Sequence, residues 1–171
     1  MRFPVPLFFL ASALAGLPVA LAQAPVSPQD FFGFPLGADK KLARYDKIAE
    51  YLEKLAARSD RVRFRNVGLT TGGNRYVLLE ISSPANLKRL DRYRELERRL
   101  YFQAGTPTPE QRDEIFRDGK AVVFLTNNIH STEIASSQSS VELAYRLATE
   151  DTPQIRQGFL RGVDGQWTVA P

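Results

Sequence analysis

The run Ala121-Val122-Val123-Phe124-Leu125 constrains the fold more than any other stretch of the sequence. A strand with one wet face alternates apolar and polar residues, whereas this run has no alternation, as expected of a strand covered on both faces in a sheet with helices above and below. A central strand is therefore predicted. It is followed by the polar stretch Thr126-Asn127-Asn128-Ile129-His130-Ser131-Thr132-Glu133. A helical pattern then runs from Ile134 to Thr149, with Ile134, Gln138, Val141, Tyr145 and Ala148 along one face. Strand, polar loop, helix is the order of an α/β unit. In open α/β sheets ligands collect outside the carboxyl ends of the strands, so a site is expected between Asn127 and Glu133.

The preceding chain supplies further layers. Residues 23–38 carry Pro25, Pro28, Gly33, Pro35 and Gly37, a density that argues against regular structure. Phe31, Phe32 and Phe34 must still find an apolar surface, so an arm packed on the domain is expected. From Asp39 to Arg58, Leu42, Tyr45, Ile48, Leu52 and Leu55 recur three and four apart, as one face of a helix requires. Val62 to Val67 alternates with the period of a half-buried strand, and Thr71-Gly72-Gly73-Asn74 supplies a turn into a second strand, Arg75 to Ile81. Ser83-Pro84 opens a helix with Leu87, Leu90, Tyr93, Leu96 and Leu100 on its buried face. Thr108-Pro109-Glu110-Gln111 is a capping box for a short helix to about Arg117, ended by Asp118-Gly119.

The amino terminus sets the expected compartment. Met1-Arg2 precedes an apolar stretch from Pro4 to Leu21 that ends in Ala20-Leu21-Ala22, the pattern of a signal peptide over residues 1–22. The prolines at 4, 6 and 18 argue against a membrane anchor, so a secreted or periplasmic protein without stable membrane association is expected. Without residues 1–22, 22 Lys and Arg face 19 acids, a net charge of +3. Charges of both signs alternate along the chain, which speaks against nucleic-acid binding. The chain has no cysteine, which excludes disulfides, thiolate catalysis and Cys-ligated zinc.

His130 is the only histidine, and Glu133 follows it by three residues. Imidazole nitrogen and carboxylate oxygen at this spacing can converge on one zinc ion, whose catalytic sites use three protein ligands and leave the fourth position to water. Spacing alone does not decide the matter. A surface histidine followed by an acid favoured at a helix start would give the same pattern. Asn127 and Asn128 read as turn residues. Ser136, Ser137, Ser139 and Ser140 lack a second histidine to activate a nucleophile, and Gly72-Gly73 is not followed by the Lys-Ser or Lys-Thr of a phosphate loop.

The stretch from Gly119 to Ile134 resembles the first zinc-binding segment of the zinc metallocarboxypeptidases, the carboxypeptidase A-like family. The resemblance extends back through Asp39–Arg58, Thr71-Gly72-Gly73 and Ile81-Ser82-Ser83-Pro84, and forward to Leu147. The chain is most similar to the large bacterial branch, which has a charged helical insertion like Asn86 to Arg117. The resemblance implies an α/β fold, a mixed sheet covered by helices on both faces, and zinc as cofactor. It also implies His130 and Glu133 as first and second zinc ligands, and a peptide or protein C-terminus as substrate. Thr132 stands where the digestive members carry a substrate-binding arginine.

In that family the second zinc histidine, the arginine and asparagine that clamp the terminal carboxylate, the tyrosine and the glutamate that activates water lie further along. The expected organisation is therefore a signal peptide (1–22), an arm (23–38), the N-terminal part of a carboxypeptidase-like domain (39–157) and a divergent tail (158–171). Such a chain is expected to be truncated and inactive alone, with its general base missing. Two other readings compete: an aspartoacylase- or desuccinylase-like amidohydrolase, and a non-catalytic exported domain that binds or packs.

Overall fold

The computed structural model describes residues 23–130 and 132–156; the expected signal peptide, Ser131 and the expected tail from residue 158 lie outside the described residues. Among the described residues eight elements follow one another: α1 (Pro28–Phe32), α2 (Tyr45–Ala57), β1 (Val62–Leu69), β2 (Arg75–Ile81), α3 (Pro84–Leu87), α4 (Leu90–Tyr101), α5 (Pro109–Asp118) and α6 (Ile134–Thr149). This is an α/β arrangement, and it is incomplete. Among the described residues the only sheet is the antiparallel pair β1–β2.

The hairpin forms where turn chemistry and alternation place it. Val62 pairs with Ile81 and Phe64 with Leu79, so these four share one face, while Arg63 opposite Glu80 and Arg65 opposite Leu78 share the other. Gly73, at φ 78°, supplies the left-handed residue of the turn, and Thr70 holds Asn74 through backbone and hydroxyl bonds. The apolar face meets α2 and α6 in the main core of Ile48, Tyr51, Leu52, Leu55, Val62 and Val141. Side chains of this size contribute about 1.5–3 kcal/mol each when fully buried.

On the polar face, Glu80 gathers Arg63, Arg65 and Arg94, and Arg63 donates to the Leu87 carbonyl at 3.0 Å, tying α3 and α4 to the hairpin. Arg63 lies 3.7 Å from Oε2 of Glu80, close enough for an ion pair but too far for a hydrogen bond, and that oxygen has no hydrogen-bond partner. Helices therefore engage both faces of the hairpin, one through packing and the other through charge. α4 and α5 close a second, smaller core of Tyr93, Leu96 and Ile115. Glu114 clamps it by accepting from Arg92 and, at 2.5 Å, from Arg99. The capping box opens α5 as expected, with Thr108 and Gln111 bonded reciprocally at 2.9 and 3.3 Å.

Several expectations need correction. Residues 23–38 do hold one regular turn, α1, because Ser27 caps it through the Asp30 N–H, Pro28 starts it and Gly33 ends it in the left-handed region. The helix expected from Asp39 begins only at Tyr45, after Lys40 at φ 57°, which leaves Leu42 and Tyr45 exposed. The helix expected from Ser83 is broken at Lys88 and Arg89 into α3 and α4. Ile134, expected on one helix face with Gln138 and Val141, is exposed at the first position of α6, whereas those two are buried.

The largest departure is the central strand. Ala121–Leu125 lies outside any ladder, with Val122 and Phe124 more than 70% exposed. A strand apolar on both faces gains from pairing only where both faces are then covered. Among the described residues one apolar layer faces the hairpin, and Val62, Phe64, Leu79 and Ile81 already occupy it. No helix among the described residues is long and apolar enough to cross a membrane.

Candidate metal-binding site

The turn that carries the candidate ligands is built locally. Asn128 sits at φ 64°, a left-handed conformation that asparagine tolerates better than most side chains. The Glu133 N–H then donates to the His130 carbonyl at 3.2 Å, closing a tight turn, and Ser136 N–H bonds the Glu133 carbonyl to start α6.

The structure brings the two candidate ligands together. His130 Nδ1 lies 2.7 Å from Oε1 of Glu133, and Oε2 of the same carboxylate accepts the main-chain N–H of His130 at 3.1 Å. Glu133 occupies the N-cap position of α6, yet its side chain reaches back to His130 instead of capping the helix. The His130 ring and the His130 N–H, in that order, hold the Glu133 carboxyl below its ordinary range. The imidazole is 72% exposed and the carboxylate 37%, so both are open to solvent.

The contact to the His130 main chain was not anticipated. Its signal is in the sequence, because a carboxylate three residues downstream has the reach by which a capping-box acid finds a backbone N–H. Of the α6 serines, Ser140 donates its hydroxyl to the Ser137 carbonyl at 2.7 Å, a bond within the helix.

The donor set fits zinc in kind, with one imidazole nitrogen and one carboxylate oxygen. It does not fit in number. Among the described residues no group of three His, Cys, Asp or Glu side chains is placed to hold a metal ion. The pair also stands at hydrogen-bond distance, closer than the separation a shared tetrahedral ion imposes. Two open hollows, one beside Val62, Arg63 and Leu87 and one beneath Phe31, Phe32 and Phe34, do not include either residue.

A family model described as zinc carboxypeptidase matches residues 48–163, more than half of the chain and inclusive of the whole His130–Glu133 turn. The chain belongs to the zinc carboxypeptidase family. The match begins within α2, takes in the hairpin and every later helix, and runs past residue 158, where the divergent tail was expected to begin. No curated protein and no solved structure matches the chain.

Proposed function

We propose that this zinc carboxypeptidase family member is exported and carries half of a zinc site, with His130 and Glu133 as two of the three protein ligands. The observation that carries the reading is the placement of both side chains in one solvent-open turn at the start of α6, inside the span matched by the family model; a shared ion would replace their 2.7 Å hydrogen bond and set the two donor atoms further apart. A bound zinc supplies a polarised carbonyl and a water whose pKa falls to about 7. Of this chain's residues, His130 and Glu133 would each give a donor atom to the metal, and the bond from the His130 N–H to Oε2 of Glu133 holds the turn that carries them. With two ligands and, among the described residues, no group of three side chains placed to hold a metal ion, the polypeptide is expected to hold zinc weakly and not to hydrolyse peptides unaided. Its substrate, once the site is completed, is a peptide or protein C-terminus. The signal-peptide pattern of residues 1–22 supports a secreted or periplasmic location.

Zinc titration by calorimetry, comparing the wild type with His130→Ala, tests the assignment. Weak binding that falls further in the variant supports half a site. Tight one-to-one binding abolished by the substitution would show a complete site, and binding indifferent to His130 would remove His130 from it.

A further inference from the structure

The arm of residues 23–38 is anchored to the main core at Val26. The hydroxyl of Tyr51, a residue only 2% exposed, donates to the Val26 carbonyl at 2.9 Å. Ser27 then caps α1, and Phe31 and Phe32 lie against the Tyr51 ring at centroid distances of 5.1 and 5.7 Å. Ahead of that anchor, Gln23 and Ala24 are exposed.

The leader pattern ends in Ala20-Leu21-Ala22, a small-x-small frame that sets the cut after Ala22 and makes Gln23 the first residue of the exported chain. The overlapping frame Ala22-Gln23-Ala24 would require cutting the Ala24–Pro25 bond, whose nitrogen carries no hydrogen and whose ring restricts the residue before it.

We propose that Gln23 is a modification site: once it becomes the amino-terminal residue, it closes to pyroglutamate. This inference rests on the export reading above. The freed α-amine, with an ordinary pKa of about 7.7–8.0, is partly neutral near pH 7 and attacks Cδ of its own side-chain amide. A bond forms between the amine nitrogen and Cδ, the Cδ–Nε2 bond breaks, and ammonia leaves with the hydrogen that the amine gives up. Nothing is oxidised or reduced. All reacting atoms belong to one residue and close a five-membered ring, so no second reactant has to be brought into place. Gln23 is exposed and lies ahead of the anchor, so ring closure does not disturb the bond at Val26.

The product has no terminal ammonium, and an aminopeptidase that needs a free amine finds none. That protects the arm, because trimming through Val26 would leave the buried Tyr51 hydroxyl without its acceptor.

The test is to express the full chain with its leader, recover the exported form and measure the mass of its amino-terminal peptide, with amine-directed labelling done at once near neutral pH. The expected peptide begins at residue 23, is about 17 Da lighter than the open glutamine form and takes no label. A peptide that begins at residue 23 and carries the label overturns the modification and leaves the export reading standing. A start at another downstream residue overturns the modification alone, and a chain that retains Met1 overturns the export reading with it.

A second measurement reads the consequence. A broad-specificity aminopeptidase should leave the exported wild type unchanged and remove the first residue of Gln23→Ala, stopping before the Ala24–Pro25 bond. The position is exposed, so the variant spares the core. Equal trimming of the two would show an open amine on the wild type and overturn the block.

Discussion

Val141 and Val123 are the same side chain in two settings: the first is fully buried between α6 and α2, the second is 55% exposed in an extended run. The elements around Val141 are amphipathic. α2, α6 and the hairpin each have one apolar face, and three such faces close on one another. The run around Val123 is apolar on both faces, so one neighbour cannot satisfy it. Hydrophobicity brings an element into a core only when the number of its apolar faces matches the number of partners in reach. The His130–Glu133 turn sits at the seam between these regions, with one end running into α6 and the other leading back to the exposed run.

The comparison breaks most visibly in the main core. Leu55 is buried against Val62 and its neighbours, and Leu55→Ala should cost about 3 kcal/mol by losing transfer free energy and leaving a cavity. Thermal or urea unfolding measures it. A loss below about 1 kcal/mol would mean that this core is as loosely held as the run 121–125.

Next in size is the cap of α5. Thr108→Ala removes the bond to the Gln111 N–H and should cost about 1 kcal/mol. If the α4–α5 pair melts with the main core, the whole unfolding curve shifts. If it melts alone, only its own hydrogen-exchange protection falls, and the two cores are separate cooperative units.

How far the sequence alone foretold this structure follows the same division. Alternation in Val62–Val67, the Thr71–Asn74 turn and the capping box at Thr108 are local signals, and each element formed where they lie. The pairing of His130 with Glu133 was also local, three residues apart at a helix start. What the sequence could not give was partnership. Nothing within Ala121–Leu125 states whether a second apolar layer is available. Nothing in the Leu42 to Leu55 spacing states that Lys40 turns left-handed and delays α2 to Tyr45. Periodicity names the face that wants burial, and the rest of the molecule decides whether burial is supplied.

A smaller effect separates the α4–α5 pair from the main core by pH. Arg99 first, and then Arg92, hold the Glu114 carboxyl down to about 2, far below its ordinary range. A carboxyl with a lowered folded-state pKa stabilises fully above its unfolded value. That contribution is lost as pH falls from about 4.5 towards about 2. The group is open to solvent, so salt screens it and the effect should be smaller than that of the cap. Wild type and Glu114→Gln should differ in thermal midpoint at neutral pH and converge near pH 2. A difference that persists into acid would assign the loss to altered packing instead of charge.

The smallest expected change carries the most information about the exposed run. Val123→Thr keeps the β-branched shape and replaces a methyl with a hydroxyl, a swap that is costly in a core because the hydroxyl must be desolvated. At 55% exposure, without any backbone bond to another segment, that cost is absent, and unfolding free energy should move by less than about 0.5 kcal/mol. The measurement belongs at high dilution, because association of native copies adds apparent stability by mass action and would make the wild type look more stable as concentration rises. A drop of several kcal/mol at dilution would place Val123 in a packed interior and erase the contrast with Val141. A gap that opens only as concentration rises would instead locate the missing partner of the run in a second molecule.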